Sequence, residues 1–455
     1  MPQDIIYGKF YIKDKEYPFF LSGQIITVTQ IPREHNKDFG GTYHFEYLKG
    51  VTSSGKYIFL LDCDVFGGQL IEITSNLQLS CKGYILSNSP SEFFDRIEFY
   101  SPALNGFYSP RQAISLEKDE VRFGVRSLRF KNYEDTAQKF CCTINGETID
   151  CELSFRSSVT LRPEDASIGS VNTTLTMKFP AQRSINELSK YYLYLLDFLV
   201  FINFRSDVPI GDIILYEEAE ERKFAKSGTA KIFQQDCSQY SADNLHSITY
   251  RDLPDSSIAN LFVAIAERRE KGTYNPFFMP TDSKDAAYFD SAKWLIAAIS
   301  FEGEFNQNYP DFKYQNDERF KQAKDLLLKC IDDAVIVSGV GINNKANKSF
   351  KSFRHLVSTT DTTIMEKFDF CLSKYSSEID PIVEKHSRIN DVPKGVDFAQ
   401  AYSDYRNSTA HGTILPITKV EIVTYQLLRC FIYILILEHG GVPLEKIKDI
   451  ISRLF

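Results

Sequence analysis

The chain has 455 residues, 43% of them hydrophobic and 14% aromatic, enough to bury the cores of two or three ordinary domains and too apolar for a disordered protein. Its formal net charge of −8 argues against a general coat protein for nucleic acid. Residues 251–455 hold 26 Lys and Arg against 28 Asp and Glu, a balance of −2, so most of the acidity falls on residues 1–250.

The first part reads as β-rich. Lys9 to Ile12, Phe19 to Leu21, Ile25 to Thr29, Tyr57 to Leu61 and Leu70 to Thr74 are short apolar, alternating or β-branched runs. Ser22-Gly23, Phe39-Gly40-Gly41, Ser53-Ser54-Gly55 and Gly67-Gly68 punctuate them. Val121 to Phe130 and Thr173 to Phe179 continue the pattern, which suits a β-sandwich or an open barrel. Ser184 to Phe201 breaks it. Ser184 with Glu187 has capping-box spacing, and Leu188, Tyr191, Tyr192, Leu195 and Phe198 recur at helical intervals. Strand-like runs return at Ile210 to Tyr216 and around Lys231 to Phe233. A helix is expected over Asp255 to Glu270, followed by a linker from Gly272 to Pro280.

After Thr281 the pattern is helical. Asp282 to Asn308, capped by Asp282 or Ser283, is expected to be one long helix, and Asp317 to Val337 a second. A short helix near Lys348 to Leu356 follows, then Thr362 to Tyr375, Gly395 to His411, Thr418 to Glu438 and a Pro443-led helix. Five or six helices with short connections make a bundle. The fold class read from the sequence is therefore α+β: a β-rich, sandwich- or barrel-like domain over 1–250, a connecting helix and linker over 251–282, and an all-α bundle over 283–455. The most apolar run, Cys430 to Leu437, is shorter than the roughly 20 residues of a membrane span. Charges at Asp4, Lys9, Lys13, Asp14, Lys15 and Glu16 speak against a signal peptide. Nine Cys, odd in number and without repeated spacing, fit free thiols in a cytoplasm.

One segment carries chemistry: Phe398-Ala-Gln-Ala-Tyr402-Ser-Asp-Tyr405-Arg406-Asn407-Ser-Thr-Ala-His411-Gly412. On a helix at about 100° per residue, Phe398, Tyr402, Tyr405 and Thr409 share a narrow inward stripe. Asn407 and His411 stack on nearly the opposite side, with Arg406 between the two faces. Arginine is a permanent, forked cation suited to phosphate oxygens. Histidine is the side chain best placed to move protons near neutral pH. RNA supplies its own nucleophile, the 2′-hydroxyl, so this pair can cleave it without a metal. Gly412 has the look of a residue just past a helix end, where the dipole favours a protonated His411. The bland alternative is a surface helix end with a capping His.

Arg406-Asn407-Ser-Thr-Ala-His411 resembles the signature of the HEPN superfamily, and Tyr405 and Gly412 make it most similar to the ApeA-type branch. The resemblance implies a HEPN domain over roughly 283–455 and a metal-independent ribonuclease, without cofactor, leaving 2′,3′-cyclic phosphate and 5′-hydroxyl ends. It implies a homodimer with facing motifs, and a role in antiphage abortive infection. His411 would transfer protons, Arg406 would stabilise the phosphate, and Asn407 would orient either. A supporting polar residue of the first bundle helix is carried to Glu302, although Glu304 is also available and Gly303 is expected to interrupt the helix. The opening Gly8-Lys-Phe10 with Ser22-Gly23-Gln-Ile25 resembles the N-terminal domain of such proteins, which implies a part that senses a phage-derived trigger. Transfer RNA is the target the resemblance suggests.

Lys345, Lys348, Lys351 and Arg354 recur every third residue with no acid between Asp333 and Asp361, a candidate track for RNA phosphates or a solvated polar loop. Core packing is expected for Phe350 and Phe353. His355 and His386 read as structural or surface residues, Cys141, Cys142 and Cys151 as buried thiols, and Asp62 and Asp64 as part of a turn. Two rival functions stay open: a HEPN-type scaffold that binds nucleotide or a protein partner without cleaving, and an active N-terminal domain with a bundle that serves only to dimerise.

Overall fold

The computed structural model of the chain describes residues 5–32, 44–70, 74–119, 124–162, 165–219, 223–234, 237, 240, 246–282, 285, 288–312, 318–337, 344–358, 363–410 and 416–455. The chain divides between Pro276 and Phe277 into two units, the first rich in β-structure and the second helical.

In the first unit, β1 (Ile6–Ile12), β2 (Lys15–Ser22), β3 (Ile25–Pro32), β4 (His44–Thr52), β5 (Tyr57–Leu70) and β6 (Thr74–Ser87) pair antiparallel in a closed ring, β1-β2-β3-β6-β5-β4 and back to β1. Period-two alternation sends Phe10, Tyr17, Phe19, Leu21, Ile26, Val28 and Leu60 into the barrel, where they are buried together. The ring closes at β1 against β4, where Phe10 lies opposite Gly50 and Gly8 opposite Thr52. A Cβ on Gly8 would meet the Val51 carbonyl at 2.6 Å, and one on Gly50 would strike the Lys9 carbonyl, so these two positions admit only glycine at this spacing. The expected open barrel is thus a closed one.

The end of β6, Gly83 to Ser87, also pairs with a strand outside the ring. Through it the barrel wall continues into a second antiparallel sheet, β14 (Lys223–Ile232), β13 (Ile213–Ala219), β7 (Phe93–Tyr100), β12 (Asp165–Ser184), β11 (Glu147–Arg162) and β10 (Gln138–Ile144). A separate ribbon joins β8 (Ile114–Asp119) to β9 (Gly124–Phe130), and two short helices, α1 (Pro102–Phe107) and α2 (Tyr133–Thr136), lie between strands. One face of the second sheet is apolar and packs on α3 (Leu188–Asn203) and α4 (Asp255–Glu270). Tyr191 of α3 meets Phe179 at 4.5 Å between ring centres, and the Cys142 thiol faces the Ala259 carbonyl of α4. The capping box at Ser184 and Glu187 forms as the spacing predicts.

Helix α4 was expected to connect two domains. It belongs to the first unit instead. Arg269 grips Asp197 of α3 through two hydrogen bonds of 2.5 Å, and Tyr194 donates to Glu270 at 2.6 Å. Apolar residues on its inner face, Ile258, Leu261, Phe262 and Ile265, are buried. Its sequence is amphipathic, and such a face needs a partner.

The second unit contains α5 (Ser291–Asn308), α6 (Glu318–Val337), α7 (Asn344–Ser358), α8 (Ile364–Lys374), α9 (Ser376–Ile389), α10 (Phe398–Ala410), α11 (Lys419–His439) and α12 (Leu444–Leu454). Helix α11 is the centre of the bundle and touches α5, α9, α10 and α12. It is the one described helix long and apolar enough to cross a membrane, and 78% of that apolar window is buried within the unit. Thr418 and Glu421 close its first turn as a capping box. Glu438 near its end accepts hydrogen bonds from Tyr309 at 2.9 Å, Tyr375 at 2.5 Å and Lys374 at 2.7 Å, which ties α5, α8 and α11 together.

Helix α5 begins at Ser291, capped by Asp290, whose carboxylate accepts from the Lys293 amide at 2.8 Å; it does not begin at Asp282. It runs through Gly303 without a break. Helix α9 was not among the expected helices; it forms with Pro381 inside it. Asp62 and Asp64 lie within strand β5, not in a turn, and His44 bonds Asp64 at 2.8 Å. Cys141 is exposed, whereas Cys142 and Cys151 are buried. Helix α7 is longer than expected, and no residue of α6 or α7 is buried among the described ones. Phe353, expected in the core, is 58% exposed on this pair, beside Leu356 at 61%.

Candidate active site

Helix α10 forms because Asp397 caps it, accepting from the Gln400 amide at 3.0 Å, after a turn at Gly395 with φ of +81°. Its apolar stripe then fixes its rotation. Tyr402 and Tyr405 are buried. Tyr402 stacks on Phe368 of α8 at 4.8 Å and meets Phe301 of α5 edge-on at 5.8 Å. Tyr405 packs edge-on to Trp294 at 4.7 Å, and its hydroxyl pairs with Ser291 at 3.1 Å. These contacts position the next turn, so that Arg406 emerges half-buried at the surface above them.

There Arg406 meets Glu302 of α5. Nε donates to Oε1 at 2.9 Å and an Nη to Oε2 at 3.2 Å, a forked ion pair. Side-chain exposure is 29% for Arg406 and 20% for Glu302, so neither partner is fully solvated. The Tyr402 hydroxyl donates to the same Oε1 at 3.2 Å. The carboxylate hydrogen bond holds Arg406 protonated above its usual range, and burial beside Glu302 pushes the Tyr402 hydroxyl well above its own. Glu304, the competing choice, is buried on another side of the helix, since two residues turn about 200°.

Sequence reasoning missed two neighbours. Lys367 of α8 donates to Asn306 at 2.8 Å, one turn along α5 from Glu302. Burial lowers the pKa of Lys367, and the charge of Glu302 partly opposes that. Nothing in the spacing of Lys367 marks it. Only the burial of its neighbour Phe368 against Tyr402 turns it toward this rim. The Tyr402 hydroxyl was missed for the opposite reason, as an inward tyrosine reads as packing.

The structure brings Arg406, Glu302 and Tyr402 together and places Asn407 exposed on the same helix, its amide 3.5 Å from the Ser403 hydroxyl. His411 and Gly412 lie outside the described residues, directly after the last residue of α10, and so does the expectation of a raised His411 pKa. Of the basic stripe, Lys348 and Lys351 are exposed on α7, and the side chain of Lys345 falls outside the described residues. Arg354 is on the same helix. It bonds Asp332 of α6 at 2.8 and 3.3 Å. His355 lies at the exposed end of α7, while His386 bonds the Phe455 carbonyl at 3.1 Å and is structural.

Chemically, the arrangement is a fixed guanidinium at a surface. Glu302 holds one edge of it, and the remaining Nη1 makes no hydrogen bond among the described residues, so donors are left for an anion. No family model matches the chain, and no curated protein or solved structure is similar to it, so the likeness to HEPN proteins rests on the motif residues alone.

Proposed function

We propose that the helical unit is a metal-independent endoribonuclease of the HEPN type, working as a homodimer in the cytoplasm. The observation that carries this reading is the meeting of Arg406 with Glu302 and Tyr402 at the surface, five residues before His411 in the sequence. In the proposed reaction the 2′-hydroxyl of RNA loses its proton and attacks the adjacent phosphorus. The bond to the 5′-oxygen breaks, and that oxygen takes up a proton. The products are a 2′,3′-cyclic phosphate and a 5′-hydroxyl. His411 moves protons, Arg406 stabilises charge on the phosphate, Asn407 orients His411 or the phosphate, and Glu302 fixes the guanidinium. Lys348 and Lys351 on α7, with Lys345, offer a track for the RNA backbone, and exposed Phe353 offers a ring for a base.

The biological role that fits is an antiphage toxin of abortive infection, cleaving cellular RNA such as tRNA, with the β-rich unit sensing a phage-derived trigger. Expressing wild type and His411→Ala in a bacterial host tests this. Growth arrest and RNA fragments with wild type alone support the proposal. Identical behaviour of the two overturns it.

A second reading has one observation in its favour. Glu302 occupies Nε and one Nη of Arg406, and a carboxylate there competes with an incoming phosphate. The unit would then be a HEPN-type scaffold that binds nucleotide or protein without cleaving.

A further inference from the structure

The second sheet of the β-rich unit has one face packed on α3 and α4. Along β7 and β12 the opposite face carries Arg96, Glu98 and Lys178, with Thr176 paired to Glu98 and Lys178 to Arg96. An exposed sheet face of this kind is ordinarily a scatter of solvated side chains. Here it is organised. Arg96 and Lys178 line a recess of about 580 Å³ with Lys139, Phe140 and Phe224, a volume within the range of small-ligand sites.

Three observations separate this recess from an ordinary surface dip. First, the Arg96 guanidinium lies over aromatic rings, its central carbon 4.5 Å from the Tyr216 centroid and 5.5 Å from that of Phe224, and the Lys178 ammonium lies 5.0 Å over the same Phe224 ring. Second, the nearby buried acid is committed elsewhere. Glu98 takes hydrogen bonds of 2.5 Å from Arg156 and 2.9 Å from Tyr216, and reaches Arg96 only at 3.5 Å. Third, the Arg96 Nε is buried and has no hydrogen-bond partner among the described residues, an unfavourable state for a charged donor. The cations that line the recess, Arg96, Lys139 and Lys178, outnumber its acids, Asp150 and Glu152; Glu152 faces Lys139 at 3.6 Å, and Lys178 makes no ion pair among the described residues.

We infer that this recess is a binding site for a phosphate-bearing ligand of nucleotide size. Arg96 and Lys178 take the phosphate, as a forked donor and a point charge, and the rings of Phe140 and Phe224 take the flat base. The inference is independent of the ribonuclease reading, since none of these residues belongs to the helical unit. It gives the β-rich unit something to recognise.

Titration calorimetry on the purified full chain tests it, with AMP, GMP, CMP and UMP as probes, and the matching nucleoside and inorganic phosphate as the two halves of each. At least one nucleotide binds with saturation below about 1 mM, and its two halves bind at least about tenfold more weakly. Lys178→Gln, at an exposed position, weakens that nucleotide about tenfold while thermal unfolding stays unchanged, and Arg96→Gln weakens it further. Absence of saturable binding by all four nucleotides overturns the inference. So does equal affinity in wild type and Lys178→Gln, which would place any binding elsewhere. Phosphate alone binding as tightly as the nucleotides overturns the nucleotide class.

Discussion

Glu302→Gln is the substitution that speaks most directly to how the candidate site is held. The wild-type pair places a carboxylate and a guanidinium in forked contact at 2.9 and 3.2 Å, with both side chains less than a third exposed. At a charge separation of ~4 Å and an effective dielectric of about 20, the gross attraction is about 4 kcal/mol. Partial desolvation of both groups offsets much of this, and exposed pairs retain only about 0.2–1 kcal/mol. Hydrogen bonds to charged groups in partly buried settings retain about 1.5–3 kcal/mol. A net coupling of about 1–2 kcal/mol follows, between those limits. The assay is a double-mutant cycle in urea with Glu302→Gln, Arg406→Gln and the double variant, because glutamine preserves the packing beneath. Simple additivity, with a coupling below about 0.3 kcal/mol, would refute the claim that Glu302 fixes Arg406. The same variants carry a functional arm. Loss of the fixed orientation lowers RNA cleavage by Glu302→Gln about tenfold, whereas a rise would show that the carboxylate restrains Arg406 instead of positioning it.

Three further outcomes follow from the geometry. Gly50→Ala drives a Cβ into the Lys9 carbonyl and within 2.9 Å of the Phe10 Cα, so it destabilises the β-rich unit by about 3 kcal/mol in chemical unfolding; an unchanged midpoint would contradict the closed barrel. Burial raises the Glu438 carboxyl, but hydrogen bonds from Lys374, Tyr375 and Tyr309 outweigh it and hold the group below its ordinary 4.5. A depressed acid stabilises the fold fully above the unfolded value, so this contribution is complete above 4.5 and is lost as pH falls below it; Glu438→Gln flattens that part of the stability profile. In RNA-binding titrations, Lys348→Ala and Lys351→Ala each reduce the slope of log affinity against log salt by about 1, and unchanged slopes would remove α7 from the RNA track.

Local signals in the sequence translate well into this fold, and long-range ones poorly. The capping box at Ser184 and the Pro443 start appear where the sequence puts them, because a cap is settled within one turn. The barrel could not be read as closed, since closure depends on Gly8 meeting Val51 and Gly50 meeting Lys9 across more than forty residues of sequence. Helix α9 went unread, and its sixth residue is Pro381, a type that removes an amide donor and argues locally against a helix interior. Helix α4 read as a connector because its partners, Asp197 and Tyr194, lie far upstream. At the candidate site, helical periodicity was enough to turn Tyr402 and Tyr405 inward and leave Arg406 at the rim. It could not choose between Glu302 and Glu304, which required the angle between α5 and α10, nor find Lys367, which arrives on a third helix.

The most direct test of the ribonuclease account is end-group analysis of RNA incubated with the purified chain in EDTA. The account predicts fragments ending in 2′,3′-cyclic phosphate and beginning with 5′-hydroxyl, formed by wild type and reduced by at least about a thousandfold in Arg406→Ala and His411→Ala. Fragments with 3′-hydroxyl ends, or cleavage that EDTA abolishes, would contradict it.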